Sequence, residues 1–140
     1  MMRMFDIIEK KIDGINLFQA IDFSVANHNT ELEDLNTLQL DKGIDTEGKS
    51  LGTYKDIRYK GRIDRVDLKD EGDFRGSINA ISRQGQITLT ATDWKTNKLT
   101  TRYGENIIGI PRKDLENGEV KSILLEDIII KVKEQLDGIS

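Results

Sequence analysis

Leu35-Asn36-Thr37-Leu38-Gln39-Leu40-Asp41-Lys42-Gly43 runs on into Asp45-Thr46-Glu47-Gly48-Lys49-Ser50-Leu51-Gly52-Thr53-Tyr54. Further along stands Leu68-Lys69-Asp70-Glu71-Gly72-Asp73-Phe74-Arg75-Gly76-Ser77-Ile78. The first run is a helix that stops at Gly43, a residue free to adopt the left-handed conformation that ends helices. Residues 43 to 53 carry glycines and no apolar periodicity, which predicts an exposed loop. In the last run, Asp70-Glu71-Gly72 forms a turn whose glycine tolerates positive φ. Asp73 then caps a single helical turn containing Phe74, and a strand begins at Ser77. Stop, loop, turn and restart describe an object that fits others, and they set out no groups arranged to activate a bond.

Toward the N-terminus, Asn16 is placed to cap a helix that runs to Lys42. Its apolar positions Phe18, Ile21, Val25, Leu32 and Leu35 step by three and four residues, with His28 in the gap. That is a seam of period 3.5, wide enough to pack on one partner. At 1.5 Å per residue the helix is about 39 Å long. Before it, residues 4 to 12 read as a short amphipathic helix (Met4, Ile7, Ile8, Ile12) broken by Gly14.

Beyond the loop, Tyr54, Ile57 and Tyr59 alternate with Lys55, Arg58 and Lys60, which predicts a strand that Gly61 interrupts and residues 65 to 68 continue. Ser77 to Arg83 and Gln86 to Ala91 flank Gln84-Gly85, the clearest hairpin in the chain. Thr96 to Arg102 start a short helix with Leu99 and Tyr103 turned inward. A closing helix from residue 117 to 136 carries Val120, Ile123, Leu124, Ile128, Ile129, Val132 and Leu136, and Gly138 ends it. The expected fold is α+β: long N-terminal and C-terminal helices on an antiparallel sheet of roughly three to four strands. One domain covers residues 1–140, with a helical part at 3–42, the loop at 43–53, the sheet at 54–92 and a second helical part at 96–137.

Composition narrows the function. Apolar residues make up 36% of the 140 residues and aromatics only 6%, so each helix has one apolar stripe to offer and neighbouring copies would complete the stability. The net charge of -4 leaves no basic field to hold DNA by counterion release. Without cysteine the chain has no disulfide and no thiolate metal site. No apolar run is long enough for a membrane span or an export signal, so a soluble protein with no membrane partner is expected.

The order of these elements resembles the virion-morphogenesis and tail-completion proteins of tailed bacteriophages. That family's pattern is a helix ending in a Gln-containing segment, a Gly-x-Asp-x-x-Gly loop, a Lys-rich strand, and a short motif of Asp-Thr-Gly, an apolar residue, Arg, any residue, Ser and Ile, where this chain has Glu71 in place of the Thr and one extra residue, Asp73, before the apolar position. The matching residues are Gln39, Gly43, Asp45 and Gly48, then Asp70, Gly72, Phe74, Arg75, Ser77 and Ile78. Arg102-Tyr103-Gly104 to Ile110 and the helix after them are similar to the family's closing segment. The resemblance implies a non-enzymatic structural protein of the virion, made in the host cytoplasm. Its place would be the neck or head-proximal tail end, in a ring of about six or twelve identical copies. Its implied partners are its own copies, a connector or head-completion protein, and a tail tube or tail terminator, with DNA passing through the ring. No cofactor and no metal are implied. The loop 43 to 53 and the segment 93 to 110, with Trp94, are expected to reach adjacent subunits.

Catalytic readings rest on less. Asp64, Asp67, Asp70, Glu71 and Asp73 would suit a Mg²⁺-dependent nuclease working through Asp67, Asp70 and Asp73. In extended chain, however, Asp64 and Asp67 point to opposite faces, and Asp70 and Asp73 fit turn and cap positions. His28 is the only histidine, which rules out a multi-histidine site. Gly48-Lys49-Ser50 imitates the end of a phosphate loop but lacks the apolar strand before it and the helix after it. Lys55, Arg58, Lys60, Arg62 and Arg65 concentrate positive charge, which suits a solvated edge or an acidic partner.

Overall fold

A computed structural model of the chain describes residues 15–52, 66–68 and 73–138. The helix expected at 4 to 12, the strand at 54 to 60 with its basic residues, and Asp64, Asp70, Glu71 and Gly72 lie outside the described residues.

Helix α1 spans Leu17–Asp41, and the Asn16 carboxamide accepts from the Gln19 N–H at 3.0 Å, the cap its sequence calls for. Gly43, one residue beyond the Lys42 cap, has φ +72°, which satisfies the last helical carbonyls from the left-handed region. The helix is not a uniform seam. His28 leaves helical geometry at φ -125° and ψ 22°, and the kink resets which positions face inward. Ahead of it, the small residues Ala20 and Ser24 are buried with Val25. After it, Leu32, Asn36, Gln39 and Leu40 are buried, and Leu35 is only half-buried. Phe18, expected in the seam, is instead 58% exposed.

A helical turn α2 (Asp73–Gly76) buries Phe74 and leads into β1 (Ile78–Arg83), which pairs antiparallel with β2 (Gln86–Ala91). Gln84 and Gly85 both have positive φ, 52° and 79°, the two-residue turn whose twist matches the strands. Among the described residues the sheet has two strands rather than the three to four expected. The continuation at 66 to 68 is irregular backbone: Leu68 has φ +58°, which no strand residue adopts.

Helix α3 (Thr96–Tyr103) and a 3₁₀ turn (Glu105–Ile107) follow. The closing helix expected from 117 to 136 is α5 (Glu119–Asp137), and a short helix not expected from the sequence, α4 (Arg112–Glu116), precedes it. Gly118 at φ +82° separates them, and the Asn117 side chain caps the Glu119 N–H at 3.0 Å.

Two buried groups share α1. Leu40, Val66, Leu68, Phe74, Ile78 and Ile107 fill one end, joined at its margin by Leu99 and Tyr103. Val25, Leu32, Ala80, Val120 and Leu124 fill the other, between α1, the hairpin and α5. Leu89 borders both. Close approach of α1 and α5 is what the small residues permit: Ser24 Oγ donates to the Leu124 carbonyl at 2.8 Å inside the contact.

Candidate subunit interface

The Gly-x-Asp-x-x-Gly loop folds around one carboxylate. Asp45 is buried, and its Oδ1 accepts from the backbone N–H of Glu47 and of Lys49, each at 2.9 Å. Gly48, at φ +83°, turns the chain so that its N–H reaches the Asp45 carbonyl at 2.9 Å. Ile44 bridges Ser50, and Leu51 N–H donates to the Gly43 carbonyl at 2.8 Å, which closes the loop on itself. The amides a phosphate loop would aim at an anion are therefore taken by Asp45. The loop expected to be exposed is half inside, because its glycines let the aspartate turn inward.

This loop is tied to the segment before α4. Thr46 N–H donates to the Asn106 carbonyl at 2.9 Å, and Arg112 N–H donates to the Thr46 carbonyl at 2.8 Å. The Arg112 guanidinium bridges Glu47 at 3.1 Å and Glu116 at 3.0 Å. Beneath them lies Asn36, fully buried on α1: its Nδ2 donates to the Ile107 carbonyl at 2.9 Å, and its Oδ1 accepts from the Gly109 N–H at 3.0 Å. The two segments expected to reach neighbouring subunits thus hold each other.

The second motif works the same way. Phe74 is core. Arg75 reaches the end of α1, 2.7 Å from the Asp41 carboxylate, and donates to the Thr37 carbonyl at 2.9 Å. Ser77 Oγ donates to the Phe74 carbonyl at 2.8 Å and accepts from the Asp93 N–H at 3.1 Å, which joins the turn to the bend after β2. Asp73 is an exposed residue of that first turn, 3.8 Å from Lys95. Asp67 is buried in the irregular stretch. Among the described residues no three acidic, histidine or cysteine side chains are grouped to hold a metal ion.

What this end offers to solvent is α3 and the bend before it. Trp94 is 81% exposed, the most exposed large apolar side chain described, with the Lys95 ammonium 5.7 Å from its ring. Lys98 and Arg102 are exposed on α3, three and seven residues beyond Lys95 and so on its face, and the Arg102 guanidinium lies 5.4 Å from the half-buried Tyr103 ring. Gly104, at φ +94°, ends the helix. Nearby, Lys42 faces Lys113, which pushes its pKa down, with burial adding and Asp114 opposing. Of the motif residues, Gly43, Asp45, Gly48, Phe74, Arg75, Ser77, Trp94, Arg102, Tyr103 and Gly104 all fall at this end.

Three structural side chains escaped the sequence reading. Asn36 stands one residue past the seam position Leu35, so the apolar spacing gave no signal for it. On the other side of α1, Glu33 accepts from the Ala80 N–H at 3.2 Å. Asp22 receives the Ser82 hydroxyl and the N–H groups of Gln84, at 3.0 Å, and Gly85, at 2.9 Å. Those bonds, the Ser82 one first, hold the Asp22 pKa below the usual carboxylate value. No local pattern marks either acid, since their partners lie more than forty residues away.

No helix of the described residues is long and apolar enough to cross a membrane. Comparison with protein-family models, with curated proteins and with solved structures finds no match to this chain.

Proposed function

We propose that the chain is a non-enzymatic structural subunit of a tailed-phage virion, of the tail-completion type, which closes into a ring joining the connector to the tail tube. The observation that carries this reading is the convergence of the motif residues on one end of the molecule. The Asp45 loop, the Phe74–Ser77 turn and the segment from Trp94 to Gly109 meet around one buried group. They are cross-tied through main-chain atoms, which makes a rim whose shape is set before any partner arrives. Trp94 stands out from that rim with the Lys95 ammonium over its ring, the kind of aromatic and cationic anchor on which protein contacts concentrate. The polar side chains of the rim are committed to holding backbone: Asp45 to its loop, Ser77 to the bend, Asn36 to residues 107 and 109.

In this role the rim meets the adjacent copies of the ring, while other flanks meet the connector or head-completion protein and the tail tube or terminator. DNA passes through the opening. Mass photometry of the purified chain, with and without a connector or tail-tube partner, tests it. The expected result is ring-sized particles in the presence of a partner, which Trp94→Ala and Arg102→Ala reduce. A chain that binds neither partner and forms no ring with either would overturn the proposal, as would a Trp94→Ala variant that assembles like the parent.

A further inference from the structure

Among the described residues the β-hairpin is finished along one edge and open along the other. In a two-residue hairpin the pair flanking the turn, Arg83 and Gln86, exchanges both backbone hydrogen bonds, and bonded pairs alternate with unbonded ones from there. Ser82–Ile87, Ala80–Leu89 and Ile78–Ala91 are then the unbonded pairs, and their N–H and C=O groups point away from the ribbon. The Thr92 N–H, 3.4 Å from the Ser77 carbonyl, fits this phase. So does the Ala80 N–H, which turns outward to Glu33 Oε1 at 3.2 Å.

Acidic residues of α1 therefore close the β1 edge: Glu33 caps its centre, and Asp22 takes the Ser82 hydroxyl and the turn amides. Among the described residues the β2 edge has no such cover. Among the described residues no group accepts from the outward N–H of Ile87, Leu89 or Ala91. Burial follows the same gradient. Ile78 and Ala80 of β1 are buried, whereas Ile87, Leu89 and Ala91, on the same face of the sheet, are only half-buried. Devices that blunt an edge, such as a charge, a proline or a bulge, are missing from Gln86-Ile87-Thr88-Leu89-Thr90-Ala91. A two-stranded ribbon is also the smallest sheet, and it gains most from another strand.

We propose that β2 of one copy pairs antiparallel with β2 of a second copy, forming a continuous sheet across a two-fold axis at Leu89. That register sets Leu89 opposite Leu89 and Ile87 opposite Ala91, so all three outward N–H groups on each side find carbonyls. On the solvent face it sets Thr88 opposite Thr90, a favourable cross-strand pair. Because β2 carries no charge, two antiparallel copies bring no like charges together, and on the other face the half-buried Ile87 and Leu89 gain cover. This contact is isologous and closes at two copies, so it is separate from the head-to-tail contact of a ring and does not rest on that reading.

Sedimentation velocity on the chain alone, over a concentration series, tests the pairing, with amide hydrogen exchange as the residue-level readout. The parent protein should form a dimer in which the Ile87 and Leu89 amides exchange more slowly than in the dilute monomer. Leu89→Pro removes one outward donor and no hairpin bond, so it should sediment as a monomer with an unchanged circular dichroism spectrum. Thr88→Lys with Thr90→Lys sets lysine against lysine across the axis and should abolish pairing, whereas Thr88→Lys with Thr90→Glu should keep it. The last two variants change only exposed side chains and decide the matter even if the proline variant fails to fold. A parent that stays monomeric at every concentration would overturn the proposal. So would a folded proline variant that dimerises like the parent, or Lys/Lys and Lys/Glu variants that behave alike.

Discussion

Asn36 offers the sharpest test of how this rim is held. Replacing it by alanine removes both bonds that fasten residues 107 and 109 to α1, at 2.9 and 3.0 Å. The carbonyl of Ile107 then loses its partner at a fully buried site and the N–H of Gly109 at a half-buried one. An unsatisfied buried polar group costs about 1–3 kcal/mol, so the pair costs about 3–5 kcal/mol once some relaxation is allowed. Against a total stability of about 5–15 kcal/mol this is a large fraction, and the melting temperature should fall by about 10 °C or more. Urea denaturation of parent and variant measures the difference, and Gly109 amide exchange reports whether the loss is local. Asn36→Asp sharpens the argument. A protonated carboxylic acid there can donate to Ile107 and accept from Gly109, but a carboxylate cannot donate and is buried. Its folded pKa is thereby raised above the unfolded value of about 3.9. At pH values below that value both states are protonated and the variant should approach the parent. As pH rises, the unfolded state ionises first, and the variant should lose stability relative to the parent until pH passes the raised folded pKa. A loss below about 1 kcal/mol for Asn36→Ala, together with a pH-independent difference for Asn36→Asp, would refute the claim that this side chain bridges α1 to the rim.

Phe74→Ala should cost about 3–5 kcal/mol, because a buried aromatic at the centre of the first core leaves a cavity that a four-residue turn cannot fill; an unchanged denaturation midpoint would show the site to be uncritical. His28 should titrate above 6.5, since both ring nitrogens face carboxylates, Glu31 at 2.8 Å and Asp127 at 2.9 Å, with the Glu31 bond the largest cause and burial opposing. Its stabilisation is fully present below the unfolded value and is lost as pH rises through the folded one; NMR titration and the flatter stability profile of His28→Gln check this. Gly85→Ala should destabilise the hairpin twice over, through φ +79° and through a Cβ only 2.5 Å from the Phe18 ring. Adding Phe18→Ala should recover the second part alone, as thermal melts of the single and double variants would show.

Local signals were legible wherever a residue type acts on its own neighbours. Asn16 caps α1 as read, Gly43 takes the left-handed conformation after it, and Gln84-Gly85 turns the hairpin in the expected register. Phe74 is core within a single helical turn, and Leu99 and Tyr103 face inward on α3. Of the apolar seam, Val25 and Leu32 are buried on either side of the kink, Ile21 and Leu35 are half-buried, and Phe18 is exposed. Past His28, which leaves helical φ/ψ, Asn36 and Leu40 are buried with Leu32. Among the described residues the strands number two rather than three to four: the continuation read at 65 to 68 is not a strand at Leu68, which has φ +58° and packs into the first core, and the strand read at 54 to 60 lies outside the described residues.

By itself, then, the sequence determined the α+β class, the caps, the hairpin turn and the loop glycines, since each depends on energies within a few residues along the chain. Only the tertiary structure decided that Asp45 turns inward, that Asn36, Asp22 and Glu33 serve backbone groups far along the chain, and that among the described residues β1 has a covered edge and β2 an open one. Those choices depend on which main-chain donors and acceptors are left without water once the two cores close, and no spacing of residue types along the chain encodes that remainder.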